Sequence, residues 1–109
     1  MRSKDIVIAA ISAINRAKDT RIEILDIEQS DNNNVRVDLL FRKTGRKYRV
    51  NIASTWFNWH YKMLSSIINL KNANIPEELS DEQKVILRLG YLFYEISESR
   101  SNYYLYPID

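Results

Sequence analysis

Apolar residues recur in this chain with two periods, and the change from one period to the other marks its elements. Ile6, Val7, Ala10, Ile11 and Ile14 keep the three- and four-residue spacing of one helical face, with Ser3 placed as an N-cap, which predicts an amphipathic helix over residues 4–18. Asp19-Thr20 ends that pattern. Ile22, Ile24, Leu25 and Ile27 then predict a strand whose alternation slips near Leu25, as at a β-bulge. Ser30-Asp31-Asn32-Asn33-Asn34 is a turn by composition, since these side chains bond their own backbone and tolerate left-handed conformations. From residue 35 the period is strictly two, with Val35, Val37, Leu39 and Phe41 on one face and Arg36, Asp38, Leu40 and Arg42 on the other. Taking Thr44-Gly45 as a two-residue hairpin turn pairs Phe41 with Tyr48, Leu39 with Val50 and Val37 with Ile52. The same register sets Asp38 opposite Asn51 and Arg42 opposite Lys47. A slip of one residue would turn the apolar face to water, so the face is better fixed than the turn.

The helical period returns at Trp56, Trp59, His60, Met63, Leu64, Ile67 and Ile68, behind a cap at Ser54 or Thr55. Residues 72–76 read as a loop. Ser80-Asp81-Glu82-Gln83 is a capping-box signature that opens a last helix reaching about Ser97. Tyr103, Tyr104, Leu105 and Tyr106 allow a short fourth strand that Pro107 ends. The expected fold is α+β: helix, three-stranded antiparallel sheet, two helices and the C-terminal strand that the tail allows, with the helices on one face of the sheet.

A chain of 109 residues holds one domain and one core. Its 45% apolar and 28% charged residues fit a globular fold, with no repeat or linker. The absence of cysteine removes disulfides, thiolate nucleophiles and sulfur-dependent zinc sites, and fits a cytoplasmic setting. The opening Met1-Arg2-Ser3-Lys4-Asp5 and the interrupted apolar run after it are not expected to form a signal peptide, and no stretch is expected to span a bilayer. The formal net charge is only +2, yet Arg42, Lys43, Arg46, Lys47 and Arg49 cluster in a segment without a single acid.

Candidate chemistry is sparse, and no cofactor or metal site is expected. His60, the only histidine, falls on an apolar helical stripe without an acid at i±3 or i±4, so it reads as a packed side chain with one satisfied nitrogen. Gly45 and Gly90 are too far apart for a phosphate-cradling loop. Glu77-Glu78 and Asp81-Glu82 lie before and within the first turn of a helix, where they complement its dipole.

Asp38 lies mid-strand on the polar face. A helix, three antiparallel strands with an acid on the second, and a following helix together resemble the core of the PD-(D/E)XK nuclease superfamily. There, an acid on the second strand and an acid-x-lysine on the third converge on magnesium. The resemblance covers roughly residues 3–70 and assigns Asp38 to the first metal-binding acid. It departs at Asn51, where the second acid would stand, and at Ala53, where the lysine would stand, which implies an incomplete and vestigial site. The same layout occurs in double-stranded-RNA-binding domains, though Thr55-Trp56-Phe57-Asn58 lacks their basic run, and in small phage inhibitors of bacterial defence enzymes. The plainer reading makes Asp38 a surface acid flanked by Arg36 and Arg49, in pairs that contribute about 0–1 kcal/mol.

Arg36, Arg42, Lys43, Arg46, Lys47 and Arg49 form the candidate binding set. With Arg42 facing Lys47, a like-charge pair would invite an anion between them, and phosphate is one candidate. The alternative is that these cations solubilise a hairpin tip and guard a sheet edge. In the last helix Leu87, Tyr91 and Tyr94 make a second apolar stripe, to be covered either by the tyrosine-rich tail or by a second subunit in a homodimer. The sequence therefore points to a non-catalytic binding protein, such as a phage or mobile-element inhibitor. It would engage nucleic acid, or an acidic surface on a nucleic-acid-processing protein, through a basic hairpin, without a membrane. A divergent magnesium-dependent nuclease built on Asp38 and an oligomeric accessory subunit are the rivals.

Overall fold

Helix α1 (Ser3–Lys18) buries Ile6, Val7, Ala10, Ile11 and Ile14, the stripe anticipated from their spacing. The computed structural model describes residues 3–62, 80–98 and 105–108. Within them α1 is followed by strands β1 (Ile22–Gln29), β2 (Val35–Phe41) and β3 (Arg46–Ile52), helix α2 (Ser54–Lys62), helix α3 (Asp81–Glu98) and a three-residue strand, β4 (Leu105–Pro107). The strands form one antiparallel sheet in the order β1-β2-β3-β4. Residues 63–68 of the expected second helix, the loop at 72–76 and the start of the expected C-terminal strand at 102–104 lie outside the described residues. No described helix is long and apolar enough to cross a membrane.

Val35, Val37, Leu39 and Phe41 of β2 meet Val50 and Ile52 of β3 on one face of the sheet, and α1 and α3 close over them with Val85, Leu89 and Phe93. Burial of such side chains is worth about 1.5–3 kcal/mol each, which makes this layer the main source of stability. The helices approach closely because Gly90 lacks a side chain: a Cβ there would stand 3.2 Å from the Ala10 carbonyl oxygen. The capping box at α3 is reciprocal. The Gln83 N–H donates to Ser80 Oγ (3.2 Å), and the Ser80 N–H donates to Gln83 Oε1 (3.0 Å).

Two features of β1 need explanation. Its pairing with β2 shifts between Ile24 and Asp26, so Leu25 is the extra residue of a bulge, where the alternation slipped in the sequence. The turn into β1 also uses left-handed backbone at Asp19 (φ 50°) and Arg21 (φ 55°). Asn15 holds this junction. Its Oδ1 accepts from the Ile22 N–H (2.9 Å) and the Thr20 hydroxyl (2.6 Å), and its Nδ2 donates to the Ile22 carbonyl (2.8 Å). A side-chain amide thus pairs with the outer edge of β1 as a neighbouring strand would. In the sequence Asn15 is only an interruption of an apolar run.

The hairpin register differs from the one expected. Phe41 pairs with Arg46, Leu39 with Tyr48, Val37 with Val50 and Asp38 with Arg49. The connection is the four-residue segment Arg42-Lys43-Thr44-Gly45, closed by the Thr44 and Gly45 N–H groups donating to the Phe41 carbonyl (3.1 and 2.8 Å), with Gly45 at φ 72°. The offset from the expected pairing is two residues. Because a strand has a period of two, the apolar face survives that offset while every cross-strand partner changes.

Candidate polar face of the sheet

The side of the sheet away from the helices is covered by no described element. β1 contributes Glu23, Asp26 and Glu28 to it, β2 contributes Arg36, Asp38 and Leu40, and β3 contributes Lys47, Arg49 and Asn51. Acids therefore lie along β1 and cations along β3, with both on β2 between them.

Arg36 binds three acids at once, Asp26 (2.8 Å), Glu28 (2.9 Å) and Asp38 (2.8 Å). Arg49 donates from Nε and Nη2 to the two Asp38 oxygens at 2.8 and 3.1 Å, the two-pronged geometry that a guanidinium offers a carboxylate. Asp38 is consequently only 7% exposed although it lies on the polar face. The Arg49 hydrogen bonds hold its carboxyl below the ordinary carboxylate range; desolvation opposes this and Arg36 reinforces it. The hydrogen bond from Arg36 likewise lowers Asp26. The arginines answer in kind, Arg36 raised chiefly by Asp26 and Arg49 by Asp38.

This geometry corrects two expectations. Asp38 faces Arg49, and Asn51 faces Arg36 instead, so Asp38 and Asn51 do not stand opposite each other. Any cation brought to Asp38 would have to displace two guanidinium groups. Among the described residues, no three His, Asp or Glu side chains gather as a metal-binding set. Arg42 does not face Lys47 either. It lies in the hairpin connection and pairs with Glu23 of β1, while Lys43 reaches Glu98 at the end of α3 (3.1 Å). The like-charge pair that invited an anion is absent, because the connection is longer than two residues. Arg46 approaches the Tyr48 hydroxyl (3.4 Å). Lys47 has no ion pair among the described residues.

The other candidates lie on helices α2 and α3. His60 is buried, its ring stacks on Trp56 at 3.7 Å between centroids, and its Nδ1–H donates to the Trp56 carbonyl (2.7 Å). Desolvation pushes its pKa below the ordinary value for histidine. Leu87, Tyr91 and Tyr94 are half-buried, and the Lys18 ammonium lies 5.3 Å from the centre of the Tyr94 ring. Among the described residues, the large apolar side chains that are exposed are Ile8, Leu25 and Trp59, none of them on α3.

What fold and face define is an α+β domain with one layer of helices and an open, charge-paired sheet surface. Comparison with known proteins adds nothing to that class: no family model, no curated protein and no solved structure matches this chain.

Proposed function

We propose that this chain is a non-catalytic binding protein that docks onto an acidic surface of another protein through the open polar face of its sheet. The observation that carries the reading is the pairing of cations with acids on the hairpin and face. Arg36, Arg42, Lys43 and Arg49 each contact a carboxylate of the same chain. A phosphate backbone is best served by unpaired cations whose counterions it can release. Here each such contact would first break an internal ion pair. A protein partner with charges of both signs can instead exchange pairs across the boundary, and complementarity of that kind gives orientation and specificity more than raw affinity. The acidic side of the partner lies over Lys47 and Arg49, and its basic side over Asp26 and Glu28.

The test is capture of partners from nuclease-treated lysate by wild-type protein and by a Lys47→Glu/Asn51→Glu variant, alongside duplex and single-stranded nucleic acid binding at two salt concentrations. A protein captured by wild type and lost by the variant, with no salt-sensitive retention of nucleic acid, supports the reading. Salt-sensitive binding of nucleic acid that disappears in the variant replaces it with a phosphate-binding function for the same strand.

A further inference from the structure

We propose that a second copy of this chain docks edge to edge along β1, so that the two sheets become continuous and the two α1 helices lie side by side. This surface is the outer edge of β1; Asp26 and Glu28 border both it and the polar face, but the contact does not depend on the role of that face. Strand β1 is a sheet edge. The Asn15 amide takes both outward polar groups of Ile22, which shows which way that residue's backbone points. With a period of two, the N–H and C=O of Ile24 point the same way, and they find no partner among the described residues. Beside Ile24 a groove of about 460 Å³ runs between α1 and β1, lined by Ile8, Ile11 and Ser12 of the helix. Ile8 is 39% exposed there, at the margin of the stripe that α1 otherwise buries.

Charge selects a second copy as the occupant. A two-fold axis normal to the sheet near Ile24 pairs β1 antiparallel with itself. Exposed Arg21 of one copy, whose own-chain contact is the exposed Asp19, then comes alongside exposed Asp26 and Glu28 of the other, each of which Arg36 holds through one carboxylate oxygen. The same axis runs the helices antiparallel, with Ile8 and Ser12 flanking it, and brings exposed Asp5 of one copy to exposed Arg16 of the other. Both complementary pairs follow from a single operator, as an isologous contact requires. Asn15 at Ile22 and the bulge at Leu25 confine the backbone ladder to the neighbourhood of Ile24, so the α1 contact contributes most of the interface.

Sedimentation of the full chain over a wide concentration range tests this. The expected result is a concentration-dependent dimer that Ile8→Glu and Ser12→Glu each abolish and that Trp59→Glu and Lys47→Glu leave intact. Ser12 is exposed, so its variant keeps the test valid if Ile8→Glu unfolds the protein. Asp5→Arg weakens the dimer, and Asp5→Arg combined with Arg16→Asp restores it. A monomer at every concentration overturns the proposal. So does a dimer that persists in the Ser12 variant, or a double charge reversal no better than the single one.

Discussion

Removing the Asn15 side chain is the sharpest test of how the first helix is joined to the sheet. Asn15→Ala deletes three hydrogen bonds and leaves the Ile22 N–H, the Ile22 carbonyl and the Thr20 hydroxyl without these partners. Ile22 is 4% exposed and Thr20 1%, so water reaches these groups poorly. A buried polar group left unsatisfied costs about 1–3 kcal/mol. Partial relaxation of the exposed turn at Asp19 and Arg21 lets some of the three regain water, which sets the expected loss at roughly 3 kcal/mol. Urea unfolding followed by tryptophan fluorescence measures it, with an unchanged m-value showing that the same surface is still exposed on unfolding. In a double-mutant cycle with Thr20→Val, the second substitution costs clearly less in the Asn15→Ala background than alone, because its hydroxyl has already lost its acceptor. Additive losses, or an Asn15→Ala protein within about 0.5 kcal/mol of wild type, would refute the argument that a side-chain amide completes the strand edge.

Three further outcomes are expected. At Gly90 the gain in helix propensity from alanine, about 1 kcal/mol, is offset by a Cβ that must push against the Ala10 carbonyl. Gly90→Ala is therefore close to neutral in thermal unfolding, while Gly90→Val is clearly destabilising. Asp26 and Asp38 have lowered pKa values in the folded state, so the stability they contribute is present above the unfolded carboxylate range and is lost as pH falls through their folded values. Asp38→Asn should flatten the acid limb of a stability-against-pH profile; an unaltered limb would count against the arginine clamp. His60 is also lowered, but for a base this means that the unfolded chain takes up its proton first. Stability then declines as pH drops below about 6.5, the unfolded value. NMR titration of the lone histidine, with its midpoint below that value, checks the cause.

The apolar face of the hairpin, the stripes of α1 and α3, the capping box and the bulge at Leu25 were all legible in the sequence, because each is a local pattern with a fixed period. The hairpin partners were not. A two-residue turn at Thr44-Gly45 and the four-residue connection actually used give the same face, so periodicity alone cannot choose between them. The candidate site suffered most from that ambiguity, since Asp38 against Asn51 suggests a relic of metal chemistry whereas Asp38 against Arg49 is an ion pair. The ion pairs of the basic cluster were hidden for a related reason. Its counter-charges, Glu23 for Arg42, Glu98 for Lys43 and Asp38 for Arg49, come from β1, α3 and β2, and a run of like charge along the chain says nothing about acids brought to it by folding. Asn15 carried a faint signal, as an amide near the buried side of a helix just before a strand.

The contact between Ala10 and Gly90 also governs how the chain reaches this fold. The meander from β1 to β3 joins neighbours in sequence and closes short loops, whereas α1 and α3 come from opposite ends of the chain, so their docking incurs a large loop-closure entropy. The meander should therefore order first and the helix pair last. In kinetic terms, substitutions at Gly90 should accelerate unfolding while leaving the folding rate nearly unchanged, whereas substitutions at Val37 or Val50 should slow folding.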